Sequence, residues 1–280
     1  MYRLNYTEGK PTGILFTEGA SMNLEGAVVI ITGSATGLGA AVALRLAGKG
    51  SNVVINYTKS ESEATATAAA CEELGAGVLL CQADVSNDAD CRRMAAAAIE
   101  RFGRIDGLVN NAAQSKIAPH ADLEALTADD FMSIFSVNVV GPYQMVRAVT
   151  PQMKQQGKGA VVNISSLSGI TGSGSSIAYA VSKGALNTMT MSLARALAPQ
   201  IRVNAVLPGV MQTRWWREGL GEDRYNAMIE RYADSAPLKT AGTPEGSADP
   251  VVWLLEGADY VTGETILVDS GTHLGPSPSR

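Results

Sequence analysis

The stretch AVVIITGSATGLGAAVALRLAGKG, residues 27–50, decides the fold. Its first part, AVVIIT (27–32), is continuously apolar, as a parallel strand covered on both faces should be. Its last part is Ala- and Leu-rich at helical spacing. Between the two, Gly33, Gly37 and Gly39 fall where strand turns into helix. Glycines there let the backbone come close to a pyrophosphate, whose charge is met by the helix N-terminus. A glycine-rich turn alone is a weak signal, since a tight turn with a close helix contact needs the same residues. Its place after the first strand of a β-α-β unit is what favours a nucleotide.

Outward from this stretch, short β-branched runs alternate with longer periodic segments. Strands are expected at 27–32, 52–56, 77–82, 105–111, 159–165, 201–207 and 264–269, and helices near 38–49, 60–74, 87–102, 127–136, 138–155, 176–198 and 244–256. Seven strands with helical crossovers predict an α/β fold: one doubly wound, seven-stranded parallel sheet of Rossmann type with helices on both faces. Residues 1–21 read as an N-terminal extension and 22–280 as one catalytic domain. The long polar and aromatic interruption at about 210–241 reads as a substrate lid, because a connection of that length is usually functional or mobile.

Composition narrows the partners. The 280 residues are 46% hydrophobic but only 5% aromatic, which suits close helix-on-sheet packing. A net charge of -5 provides no positive field for nucleic acid or anionic lipid. No apolar run is long enough to span a bilayer. Cys71, Cys81 and Cys91 are odd in number and lack zinc-site pairing, so they read as reduced, mostly buried thiols of a cytoplasmic protein, with no metal required.

Later motifs give the glycine turn its meaning. The spacing TGxxxGxG is followed by DVS at 84–86 after the third strand, NNAA at 110–113 after the fourth, VN at 137–138, NISS ahead of YAVSK, and PG at 208–209 with Thr213 after the sixth. In this order the chain resembles the short-chain dehydrogenase/reductase family, in particular its 3-oxoacyl-acyl-carrier-protein reductase-like members, over about residues 23–270. The resemblance implies a nicotinamide dinucleotide held by Gly33, Ser34, Thr36, Gly37, Leu38 and Gly39 in the turn, by Tyr57, Thr58 and Lys59 after the second strand, and by Asp84 and Val85, with Asp84 at the adenine. Asn111, Ala112 and Ala113, then Pro208, Gly209, Val210 and Thr213, complete the cofactor side together with Tyr179 and Lys183. Two positions depart from the family pattern. Ala113 stands where glycine is usual and adds a methyl that crowds the nicotinamide side if φ there is positive. VDSG at 268–271 replaces the commoner VDGG, a small change in a turn.

Cofactor choice turns on VVINYTKSE, the end of the second strand. An acid there would bind the ribose hydroxyls and repel a 2′-phosphate. Tyr57 stands in its place, with Asn56, Thr58, Lys59 and Ser60 nearby, which favours NADP(H) over NAD(H). Against this, Ser34 occupies the position where many NADP-preferring relatives carry a basic residue.

Tyr179 and Lys183, four residues apart, share one helix face. A phenol of pKa near 10 is a poor base at neutral pH, and a cation one turn away favours its phenolate. By the resemblance, Tyr179 is the general acid/base, Lys183 also binds the nicotinamide ribose, Ser166 holds the substrate oxygen, and Asn138 keeps a water in the proton relay. The implied chemistry is hydride transfer between nicotinamide and a ketone or secondary alcohol. Ser168, Ile170, Trp215 and Trp216 are expected to line the substrate pocket. A 3-oxoacyl thioester and a small alcohol, sugar or cyclic ketone both stay open as substrates: a basic patch beside the pocket favours the first, a closed pocket the second. A non-enzymatic nucleotide-binding protein on the same fold usually loses the tyrosine or lysine, and both are present here. Family members associate as homodimers or homotetramers, here through the helices at 138–155 and 176–198.

Overall fold

The computed structural model describes residues 22–275, together with the backbone of two short antiparallel strands, Tyr6–Thr7 and Lys10–Pro11. The remainder of the extension expected at 1–21, and residues 276–280, lie outside the described residues.

Each apolar run expected as a strand forms one. The strands are β1 (Val28–Ile31), β2 (Asn52–Tyr57), β3 (Val78–Gln82), β4 (Gly107–Asn110), β5 (Gly159–Ile164), β6 (Ile201–Pro208) and β7 (Thr265–Val268). All neighbouring pairs are parallel, in the order β3-β2-β1-β4-β5-β6-β7. The chain starts mid-sheet, moves outward to β3, and resumes on the other side of β1. A crevice therefore opens beyond the C-terminal ends of β1 and β4, where strand order reverses.

Alternate residues of β1 feed opposite layers, as the twofold strand period requires. Val29 and Ile31 join one core, with Leu38, Val42 and Leu46 of α1 (Gly37–Ala47) and Val251, Leu254 and Leu255 of α10 (Pro244–Glu256). Ile30 joins the other, with Met94 and Ala98 of α3 (Asp88–Phe102), Met145 and Val149 of α5 (Gly141–Gln156), and Ala194 and Leu197 of α7 (Ile177–Leu197). The outer helix α2 (Glu61–Glu73) follows β2.

Three features exceed the sequence reading. The helices expected at 127–136 and 138–155 are continuous: α4 (Ala128–Phe135) passes into α5 through a π-helical turn at Ser136–Val140, with Asn138 at its centre. A single-turn helix, α6 (Ser168–Thr171), follows β5. The segment after β6 folds into α8 (Arg214–Leu220) and α9 (Glu222–Ser235), which lie over the crevice.

Candidate active site

The crevice is a cleft of about 1670 Å³ running from the glycine turn to the start of α7. Its floor is set by two amides and a hydroxyl. Asn56, at the buried end of β2, accepts from Gly33 N–H at 2.9 Å through Oδ1 and donates through Nδ2 to the carbonyls of Cys81 (3.2 Å) and Ala83 (3.0 Å). Asn111 donates through Nδ2 to the carbonyls of Thr32 and Gly33, both at 2.9 Å. Thr32 Oγ1 accepts from the N–H groups of Asn111 (2.9 Å) and Ala112 (3.0 Å). Sequence reasoning did not assign Thr32, and placed Asn56 beside a phosphate. The structure buries the Asn56 amide beneath the turn instead, and a polar residue at the end of an apolar strand was the signal for that role.

Glycine is required at specific points of the turn. Gly33 and Gly37 both have φ of +61°. A Cβ on Gly39 would stand 2.5 Å from Asn111 Nδ2 and 2.7 Å from the Gly33 carbonyl. Side chains cap α3, α7 and α10, whereas α1, which faces the cleft, has neither a side-chain cap nor an acid in its first turn. Its leading N–H groups and the glycine backbone form a cradle for a pyrophosphate, so the residues present fit a dinucleotide.

Nearly all the expected cofactor residues line this cleft: Gly33, Thr36, Gly37, Leu38, Tyr57, Thr58, Lys59, Asp84, Val85, Asn111, Ala112, Ala113, Pro208, Gly209, Val210 and Thr213. Ser34 does not. Its hydroxyl is fully buried, donating to the Ile31 carbonyl at 2.7 Å and accepting from Asn56 N–H at 3.0 Å, so it ties the turn to β2. Gly39 lies behind the wall, as a close contact only. Ala113 is absent from the left-handed backbone positions, so its methyl imposes no strain there. Ser270, the other departure, has φ of +56°, so its substitution in the turn is a strained one.

At the far end of the cleft stand Ser166, Tyr179 and Lys183. Ser176 caps α7 by accepting from Tyr179 N–H at 3.2 Å, which fixes where Tyr179 emerges. Lys183 is among the largest fully buried side chains and donates through Nζ to the Ile164 carbonyl at 2.8 Å. Its ammonium lies 5.6 Å from the centroid of the Tyr179 ring. The expectation that this cation draws the phenol down is not met. Burial pushes Tyr179 up to about 12, with a hydrogen bond to Ser166 pulling the other way. Burial also brings Lys183 down to about 7, which weakens the cation that was to act on the phenol.

Asn138 is braced away from the cleft. Its Oδ1 accepts from Gln114 N–H at 2.7 Å, and its Nδ2 donates to the Gln114 carbonyl (2.9 Å) and Ser182 Oγ (3.0 Å). It ties the loop after β4 to α7, beside Lys183 in the chain. The π turn delivers the amide to that depth.

On the substrate side, Trp215 meets the Tyr179 ring edge-to-face at 5.5 Å between centroids and stacks on Trp216 at 6.1 Å. Ser168 also lines the cleft. Ile170 is turned outward, 54% exposed, on a separate shallow groove beside Phe135 and Val181, because α6 directs it away from the cleft. Arg214 reaches towards α2, away from the reacting end. His273 pairs with buried Asp269 at 2.9 Å.

Comparison with known proteins agrees with this geometry. A family model described as enoyl-(acyl carrier protein) reductase matches residues 33–273. A Streptomyces violaceoruber protein assigned as ketoacyl reductase 2 of the granaticin polyketide synthase is 42% identical over 250 residues, covering 89% of this chain and 97% of its own. The chain belongs to the short-chain dehydrogenase/reductase family. As a member of this family it is an oxidoreductase of CH–OH and C=O groups that uses a nicotinamide dinucleotide. An L-rhamnose 1-dehydrogenase (NAD(P)(+)) of Sphingomonas sp. strain SKA58 is 36% identical, over 90% of this chain and 98% of its own. The crystal structure of a levodione reductase superposes with a TM-score of 0.83 at 33% identity, covering 89% of this chain and 98% of that one. No helix among the described residues is long and apolar enough to cross a membrane.

Proposed function

We propose that this short-chain dehydrogenase/reductase interconverts an apolar, ring-bearing ketone and its secondary alcohol with NADP(H). The observation that carries this reading is the placement of Trp215 against the Tyr179 ring, so that a carbonyl reaching Tyr179 and Ser166 lies beside an indole face. The dinucleotide, when bound, supplies or accepts the hydride. In this reading Ser166 holds the substrate oxygen and Tyr179 exchanges the proton on it. Lys183 orients the ribose, and Asn138 positions Lys183 through Ser182.

Against the thioester reading, the lining residues Gln114, Ile117, Pro119, His120, Leu220 and Met228 carry no Lys or Arg, and the nearby cations Lys183 and Arg214 are already hydrogen-bonded to the Ile164 carbonyl and to Glu63. Lys116, close by, is paired with Asp130 at 2.8 Å. A phosphopantetheine arm would meet little positive charge there. NADP(H) is supported by the lack of an acid in Tyr57-Thr58-Lys59-Ser60 and by the exposure of Lys59 in the cleft. Residues 210–241 act as the substrate lid on the single domain at 22–280. Val140, Tyr143, Val181 and Met191, each close to half exposed on or beside α5 and α7, support a homodimer or homotetramer, which light scattering tests. Three buried, unpaired cysteines suit a reducing cytoplasm.

A panel of cyclic, aliphatic and thioester ketones, assayed with NADPH and NADH by nicotinamide absorbance, tests this reading. The highest kcat/KM is expected for cyclic ketones with NADPH. Preference for a carrier-protein thioester, or for NADH, would contradict it.

A further inference from the structure

The mouth of the cleft is crossed by one side chain that the reaction does not use. Thr213 lies above the glycine turn, with its methyl 4.0 Å from where a Cβ on Gly37 would stand. The next residue, Arg214, opens the lid helix α8 and reaches back to the far bank. Its Nη1 donates to Glu63 Oε1 at 2.6 Å and its Nη2 to Ser60 Oγ at 3.0 Å. Its Nε stands 3.7 Å from Glu218 Oε1. Ser60 ends the Tyr57-Thr58-Lys59-Ser60 loop, where the ribose of an adenosine is held in the reading above.

We propose that Arg214 is a receptor for the 2′-phosphate carried on the lid, and that Glu63 occupies it until the phosphate arrives. The proposal rests on the NADP(H) reading. Three observations carry it. The guanidinium hydrogen-bonds Ser60 at the end of the loop that would hold the phosphorylated ribose, a loop that also carries Lys59, which makes no ion pair among the described residues. Both members of the Arg214–Glu63 pair are close to half exposed, at 45% and 43%, so the pair is cheap to break. A phosphate dianion offers a planar guanidinium two charge-assisted hydrogen bonds, a better partner than one carboxylate oxygen. The hydrogen bond from Arg214 holds the Glu63 carboxyl below its usual range, so Glu63 is anionic at neutral pH. It therefore competes with an incoming phosphate, while NADH leaves the pair in place. Recognition of the 2′-phosphate thereby draws the first helix of the lid onto the adenosine half of the cofactor.

Calorimetric titration with adenosine 2′,5′-bisphosphate and with 5′-AMP tests this without turnover. The wild-type protein is expected to prefer the bisphosphate. Arg214→Ala should lose at least about tenfold in bisphosphate affinity, as for a lost hydrogen bond to a charged group, and less than twofold for AMP. Glu63→Gln should tighten the bisphosphate and leave AMP unchanged. A wild type that prefers the bisphosphate while Arg214→Ala keeps that preference would overturn the Arg214 assignment alone. Weakening of the bisphosphate by Glu63→Gln would also overturn it, since the pair would then be a fixed brace. A wild type without preference would overturn the NADP(H) reading itself, and this assignment with it.

Discussion

Tyr179 and Lys183 are pulled in opposite directions by the same cause. Both are buried at the end of the cleft, and burial disfavours the charged form of each, sending the phenol to about 12 and the amine to about 7. The four-residue spacing that brings them together was legible in the sequence, because it depends only on the helix repeat. Their proton affinities were not, since they depend on burial that only the assembled fold produces. The amine gives a pH dependence of stability. Between about 7 and 10.5 the unfolded chain holds a proton on Lys183 that the folded chain has released, so stability rises with pH across that window. Below it, the fold carries the full cost of a buried ammonium. Lys183→Met should therefore stabilise the protein, and by about 2–3 kcal/mol more at pH 6 than at pH 9, given roughly 1.4 kcal/mol per pH unit. Urea unfolding at the two pH values measures this, and an equal effect at both would contradict it.

At the scale of the elements, strand and helix positions were readable because the apolar runs are nearly continuous and most turns carry glycine or a capping side chain. What escaped was geometry set by contacts across the sheet. The π turn at Ser136–Val140 exists to deliver the Asn138 amide to Gln114 and Ser182, partners that only the assembled fold supplies. The turn after β7 shows the same limit in reverse. Ser270 looked harmless beside Gly271, yet it sits at φ +56°, while its carbonyl accepts from Leu238 N–H at 3.1 Å, just after α9. No hydrogen bond of its side chain rewards that conformation among the described residues. Ser270→Gly is expected to raise stability by about 0.5–1 kcal/mol, because relief of the left-handed strain exceeds the added freedom of the unfolded chain. Thermal unfolding reads the change, and a lowered midpoint would show that the turn is unstrained.

The whole molecule explains why the cleft lies where it does. A sheet that starts mid-way and reverses at β1 leaves one crevice at the strand ends, and the same topology brings the glycine turn, the loop after β4, Ser166 after β5 and the helices α8 and α9 after β6 to its rim. Ordered motifs along the chain made this assembly legible. The direction of single side chains was not, as Ser34 and Ile170 show: one is drawn inward by β2 and the other turned out by a single-turn helix. Within this frame the central claim concerns one proton. Tyr179→Phe keeps the ring that packs on Trp215 and removes only the hydroxyl, so nucleotide affinity should stay within about twofold while kcat/KM for ketone reduction falls by roughly 10²–10⁴, the range that a general acid contributes. Ketone turnover by the Phe variant at the wild-type rate would contradict the account.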